Sequence, residues 1–259
     1  MEYRRHTPAV DLAPFVEHYW SVTSVSPVTA VRSVLVPSGR ATMQFCLAEP
    51  GRRFAPGRPG QPNADVYLPN GTEPLLLEQR GRSHYVGIQF TPWGARALFP
   101  LTGAAPMLVA AITDTLPDKN ALASTPASEL DRWLLSSSPR AIQPEALLAS
   151  ATAMIDRDPT RVVVGDLPAK LGVSASTLYR AFRDRIGLTP KQYVSVMRFR
   201  AFTDGLVREG DSQPNALLAG LTGYFDQSHA SRDFTRFTGM TATAFREAYD
   251  GIARLMAEP

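Results

Sequence analysis

Cysteine is nearly absent. Cys46 stands alone in the chain, so no internal disulfide can form and a four-thiolate zinc site is excluded. Histidine is scarce as well: His6, His18, His84 and His229 lie far apart, with no pair at the helix or strand spacing that metal ligands need. A phosphate-cradling glycine loop is missing, and so is the Gly-x-Ser-x-Gly nucleophile elbow. These absences point away from an enzyme and away from a bound cofactor. No apolar run approaches the roughly 20 residues of a membrane span, and Met1-Glu-Tyr-Arg-Arg-His lacks the apolar stretch of a secretory signal. The expectation is a cytoplasmic protein with no membrane partner. A strong charge of either sign is also lacking, the net being +3, so overall charge does not announce a polyanionic partner.

What is present is a repeat. Setting Ser176, Arg180, Phe182, Gly187, Thr189 and Tyr193 over Ser228, Arg232, Phe234, Gly239, Thr241 and Phe245 gives a constant offset of 52 residues (228 − 176). One supersecondary unit is therefore written twice. In each copy a short apolar helix, around Leu167 to Leu171 and Leu217 to Leu221, stops at a glycine, Gly172 or Gly223. A second helix follows, capped by Ser174 or Asp226. Helix, glycine turn and second helix make a helix-turn-helix, whose second helix can enter the DNA major groove. Leu178 and Phe182, at i and i+4, point inward, and Ala230 and Phe234 repeat them.

At these residues the chain resembles the DNA-binding domain of the AraC/XylS family of bacterial transcription regulators. The stretch Gly223-Tyr-Phe-Asp-Gln-Ser-His-Ala-Ser-Arg-Asp-Phe, with Gly239-Met-Thr and Phe245-Arg246, follows that family's signature. So does Leu171-Gly-Val-Ser-Ala-Ser-Thr-Leu-Tyr-Arg-Ala-Phe with Gly187-Leu-Thr-Pro. Pro168 and Ala230 stand where the family usually has alanine and phenylalanine, and Ala242 where it usually has proline. The resemblance implies a sequence-specific regulator bound to double-stranded DNA, with RNA polymerase as a further partner if it activates. Some domains of this type are fused to cysteine-rich modules that repair alkylated DNA, and a single cysteine excludes such a module here.

The faces of the two second helices assign candidate contacts. Ser176, Tyr179 and Arg180, then Gln227, Ser228, His229, Ser231 and Arg232, lie on the open sides and are expected to read bases. Arginine can donate two hydrogen bonds to guanine, so Arg180 and Arg232 lead. Arg183, Lys191 and Arg236 are expected to hold phosphates. Arg180, Arg183, Arg185, Lys191, Arg198 and Arg200 face only one acid, Asp184, between them, a local concentration that suits a phosphate backbone. Between the copies, Thr189-Pro-Lys-Gln192 reads as a capping box, opening a helix over about 190–206 that can pack against both units.

The chain before the repeat alternates short β-prone runs with turns. Residues 10–22 begin with a helical turn and enter a strand. Val31 to Pro37 and Ala41 to Leu47 read as a hairpin about Pro37-Ser-Gly39, and Gly51 to Asn63 reads as an exposed loop. Val66 to Pro69, Leu75 to Gln79 and Tyr85 to Phe90 resume the strands, which suggests a small β-sandwich or barrel. Gly94 to Phe99, Met107 to Ile112 and Ser128 to Ser137 have helical periodicity. The expected fold is α+β in two domains: a β-rich, cupin-like domain over 1–135 closed by helices, a linker over 136–144, and an all-α double helix-turn-helix domain over 145–250, its units at about 164–187 and 215–239.

The first domain also resembles the cupin-like domains that precede many AraC-type regions, through Phe15-Val-Glu-His-Tyr-Trp, Pro37-Ser-Gly-Arg-Ala-Thr-Met-Gln-Phe and Val86-Gly-Ile-Gln-Phe-Thr-Pro-Trp-Gly. That likeness implies a small-molecule sensor or a module for homodimerisation. Tyr19, Trp20 and Trp93 either line a ligand pocket or pack the core. Two other readings stand beside the regulator: a cupin-like enzyme or ligand carrier with an accessory DNA-binding domain, and a redox sensor acting through Cys46.

Overall fold

A computed structural model describes residues 1–24, 26–101, 103–137, 145–209 and 227–241. The chain divides into two units. Met1–Ser33, Arg40–Asn70 and Leu75–Pro144 form one, and Val34–Gly39, Gly71–Pro74 and Glu145–Pro259 the other.

The first unit is built on two sheets whose recorded pairings are antiparallel. Strands β1 (Glu2–His6), β2 (Val16–Thr23), β4 (Thr42–Cys46), β7 (Val66–Leu68), β9 (His84–Phe90) and β10 (Met107–Leu108) make the larger, in the order β1-β2-β9-β4-β7-β10. Strands β3 (Val28–Leu35), β5 (Gly51–Phe54), β6 (Gln61–Asn63) and β8 (Leu75–Gly81) make the smaller, in the order β3-β8-β5-β6. Helices α1 (Gly94–Leu98), α2 (Lys119–Ser124) and α3 (Pro126–Ser137) follow. Sheets followed by helices, then a helical second unit, is the α+β architecture that the sequence pattern predicts.

Alternation along the strands gives the larger sheet two unlike faces. Tyr19, Met43, Phe45, Ile88 and Phe90 lie on the face turned to the helices and are almost fully buried. The Tyr19 hydroxyl donates to Asp131 Oδ1 of α3 at 2.7 Å, and Phe45 meets Trp133 of α3 edge-on at 5.5 Å between ring centres. Burial of each such side chain contributes about 1.5–3 kcal/mol. The other face is mixed, carrying Trp20, Val22, Val66 and Leu68 among polar side chains. Register places Trp20 and Gln44 opposite Gly87, and His18 and Thr42 opposite Gln89. Gln44 Nε2 donates to Asn63 Oδ1 of β6 at 2.9 Å, and the Tyr85 hydroxyl donates to Gln79 Oε1 of β8 at 3.0 Å, so this face looks onto the smaller sheet. Glycine is required at position 87, because a Cβ there would lie 2.2 Å from the Trp20 indole.

Three local expectations are corrected. Gly51 to Asn63 is a hairpin of β5 and β6, not an exposed loop; a Cβ on Gly51 would sit 2.6 Å from Glu78 O, so the glycine read as a loop marker permits close strand approach. Pro37-Ser-Gly39 does not turn a hairpin: β3 lies in the smaller sheet and β4 in the larger, so the segment carries the chain between them. Met107 to Ile112 is not a helix. Met107 and Leu108 pair with Tyr67 and Val66 as an edge strand, and one 3-10 turn, Val109–Ala111, follows; pairing with β7 overrides the helical spacing.

The second unit contains α4 (Ala146–Arg157), α5 (Leu167–Leu171), α6 (Ala175–Ala181), a single π-helical turn (Phe182–Ile186), α7 (Pro190–Glu209) and α8 (Gln227–Thr238). The expected first helix of the second repeat, Asp226 as the expected cap of its second helix, and Ala242, Phe245 and Arg246 lie outside the described residues.

Candidate nucleic-acid interface

Local sequence explains the first helix-turn-helix step by step. Pro168 sits in the first turn of α5, where its missing N–H costs nothing, so the departure from alanine is accommodated. Gly172 ends α5 at φ 67°, a left-handed conformation that favours glycine, and Val173 N donates back to Pro168 O at 3.0 Å. Ser174 then caps α6, its Oγ accepting from Thr177 N at 3.1 Å. Leu178 and Phe182 are 2% and 0% exposed, and Phe182 meets Tyr193 edge-on at 5.8 Å. Ser176, Tyr179, Arg180 and Arg183 are exposed. The structure thus brings these four candidates onto one open surface.

Sequence pattern does not announce the π-helical turn that ends this recognition helix. Gly187, at φ 86°, donates its N–H to Phe182 O, five residues back. The turn carries Arg185, which pairs with Glu145 at 2.5 Å.

Helix α7 opens as the capping box predicts: Thr189 N donates to Gln192 Oε1 at 2.9 Å and Gln192 N to Thr189 Oγ1 at 3.1 Å. Its 20 residues span about 30 Å. Toward the first repeat, the Tyr193 hydroxyl donates to Asp156 Oδ1 at 2.8 Å. Arg198 donates to the carbonyls of Pro159 and Val162, both at 2.9 Å. Toward the second, Phe199 packs on Phe234 and Phe237, and Phe202 on Phe234. Lys191 is exposed in the first turn.

On α8, Ser228, Ser231 and Arg232 are exposed, and Gln227 and His229 fall on the same helix. Arg232 Nε donates to Ser228 O, one turn back, at 3.3 Å. Arg236, a phosphate candidate by sequence, is engaged within the protein: it pairs with Asp233 at 3.1 Å, donates to Ser195 Oγ at 3.2 Å and lies 4.3 Å from the Phe237 ring centre.

The three aromatic pocket candidates of the first unit do not converge. Tyr19 is committed to Asp131, Trp93 packs edge-on against Phe15 at 5.4 Å, and Trp20 lies on the opposite sheet face from Tyr19. Trp20 Nε1 is buried without a hydrogen-bond partner. A cavity of about 280 Å³ lies elsewhere, lined by Cys46, Asp65, Leu108, Leu116 and Lys119 among others. Burial pushes the Cys46 thiol up, which makes thiolate scarce at neutral pH. Among the described residues no three His, Cys, Asp or Glu side chains gather as a metal site, and no helix is long and apolar enough to cross a membrane.

Comparison with known proteins agrees with this geometry. Residues 167–248 match a helix-turn-helix domain family, and residues 4–106 match a domain of unknown function (DUF6597). A protein of Streptomyces antibioticus described as an AraC-like transcription regulator is 34% identical over 104 residues, which cover 40% of this chain and 34% of that one. The match therefore spans about a third of that relative. ToxT of Vibrio cholerae is similar in structure, with a TM-score of 0.53 at 11% identity over 89% of this chain and 99% of ToxT. An apo variant of ToxT gives 0.54 at 10% identity over 95% and 100%. At such identities the likeness concerns the fold alone. The helical unit of this chain thus matches a helix-turn-helix domain family and is similar to part of an AraC-like transcription regulator, and its β-rich unit matches a domain family of unknown function.

Proposed function

We propose that the chain is a transcription regulator that binds duplex DNA selectively through both α6 and α8, and that its β-rich unit tunes this binding in response to a small molecule. The observation that carries the DNA reading is α6 itself, a capped helix with Leu178 and Phe182 buried behind and Ser176, Tyr179 and Arg180 projecting in front. Arg180 is assigned to a guanine edge by bidentate donation, with Arg232 in the equivalent place on α8. Ser176, Tyr179, Gln227, Ser228, His229 and Ser231 complete the base-facing set. Arg183 and Lys191 hold phosphates and fix register.

A spacer of about 30 Å suits two recognition helices in successive major-groove segments roughly 34 Å apart, read by one chain. The effector reading is supported by the mixed inner face of the larger sheet, where the buried Trp20 Nε1 offers a donor without a protein acceptor. ToxT, of similar fold, has been solved bound to (E)-4-(8-methylnaphthalen-1-yl)but-3-enoic acid, at a TM-score of 0.52 and 10% identity over 88% of this chain and 98% of ToxT. Homodimerisation through the β-rich unit and contact with RNA polymerase belong to the same reading.

Residues 141–259 hold both repeats and α7, so they are expected to bind DNA alone. Gel shifts on duplexes enriched from a random pool by the full chain test this. Binding by the fragment is expected, and a folded fragment that shifts none of the enriched duplexes would overturn the assignment. Repeating the shifts with the full chain and candidate metabolites tests the effector arm.

A further inference from the structure

Two kinds of contact join α8 to α7, and they differ in what they can fix. The rings of Phe199, Phe202, Phe234 and Phe237 supply burial, which is non-directional and tolerates rotation of one helix over the other. Beside them lies a polar triad with directed bonds. Ser195 Oγ of α7 donates to Asp233 Oδ2 of α8 at 3.4 Å and accepts from Arg236 Nη2 at 3.2 Å, while Arg236 pairs with Asp233 at 3.1 Å. The Asp233 side chain is 14% exposed, so the pair is partly shielded from water and salt. Ser195 lies less than one turn from Arg198, whose guanidinium holds the Pro159 and Val162 carbonyls ahead of the first repeat. Within that turn α7 is bonded both to the segment that leads into the first repeat and to α8 of the second, so α8 cannot rotate about it without breaking directed hydrogen bonds.

Sequence comparison of the repeats isolates the triad as a property of the second. At the 52-residue offset Asp233 and Arg236 correspond to Ala181 and Asp184, which cannot form the same pair. An arginine whose side chain is spent on Asp233, Ser195 and the Phe237 ring is also poorly placed to neutralise a phosphate.

We propose that Ser195, Asp233 and Arg236 form a latch that sets the angle of α8 on α7, and thereby the separation of the two DNA segments that one chain accepts. These are positioning residues, and the proposal rests on the reading that both recognition helices engage DNA.

The test uses the full chain and duplexes enriched from a random pool, in versions with half a helical turn, about 5 bp, inserted between the two protected segments, and in versions keeping the first segment only. For the wild type the insertion is expected to weaken binding roughly tenfold or more, because the second helix no longer reaches its segment. Ser195→Ala and Asp233→Asn are expected to shrink that penalty to about threefold by letting α8 swing, with first-segment binding unchanged. Ser195→Thr, which keeps the hydroxyl, is expected to behave as wild type. Arg236→Gln is expected to leave the salt slope of binding unaltered, whereas loss of a phosphate contact would lower it by about one unit.

An unchanged insertion penalty in folded Ser195→Ala and Asp233→Asn variants overturns the latch, as does an equal loss on first-segment duplexes. If Ser195→Ala does not fold, Asp233→Asn decides, being nearly isosteric. A wild type indifferent to the insertion contradicts the two-helix reading itself, and the latch falls with it.

Discussion

The two recognition helices come from one repeated sequence and are finished differently. In the first, α6 gives way at Phe182 to a π-helical turn that presents Arg183, Asp184 and Arg185 to solvent. In the second, α8 runs as regular helix to Thr238, and the equivalents of Asp184 and Arg185 are Arg236 in the latch and Phe237 in the core. The first turn sets Arg185 against Glu145, ahead of the repeat, whereas the second helix sets Arg236 against its own Asp233 and against Ser195 of α7. One repeated sequence thus ties the ends of its two helices to different neighbours.

The sharpest way to break this comparison is to remove the buried ring of each helix in turn. Phe182→Ala and Phe234→Ala should each cost about 3–5 kcal/mol, read as faster amide exchange confined to α6 or α8 respectively. If either change loosens both helices equally, the repeats are not separate packing units.

Next in size is base reading. Arg180→Ala should cost about 1–3 kcal/mol on an enriched duplex and relax preference at one or two base pairs. Arg232→Ala should cost less, since Arg232 must first release Ser228 O and its helix has Ala230 where the first has Leu178. Titrating both variants on one duplex at one salt concentration checks the order, and a larger loss for Arg232→Ala would reverse it.

The cap gives a smaller effect. Ser174→Ala should destabilise α6 by about 1 kcal/mol and leave exchange in α8 untouched.

The last is a pH dependence that separates the two units. In the first, the Arg132 guanidinium and the Asp118 amide hold the Glu129 carboxyl below the usual carboxylate range. A depressed folded value means that this stabilisation is fully present above the ordinary glutamate pKa of about 4.3 and is lost as pH falls through the lower value. Acid should therefore loosen α3 in the wild type, and Glu129→Gln should remove that dependence while weakening the unit at neutral pH. Exchange in α3 followed from neutral to acidic pH checks it.

How far the sequence could be read follows from which forces are local. Ser174, Gly172 and the Thr189–Gln192 box act within a few residues, and each occurs where its pattern predicts. Strand pairing is decided at long range, so turn residues that serve either arrangement do not reveal the crossover at Pro37-Ser-Gly39 or the β5–β6 hairpin. Met107 and Leu108 have helical spacing, yet β7 offers them an edge. Of the candidate contacts, the exposed face of α6 was legible because i, i+4 burial fixes it. The partners of Arg236 are not: they lie 3 and 41 residues away in sequence, and a helical Asp-x-x-Arg reads equally well as a solvated ion pair.

The proposed DNA binding requires one chain to place both helices on DNA. Hydroxyl-radical footprinting of the full chain on an enriched duplex, at a measured stoichiometry of one chain per duplex, tests that directly. Two protected segments about one helical turn apart, 10–10.5 bp, are predicted. A single protected segment at that stoichiometry, with the second appearing only when another chain binds, would contradict it.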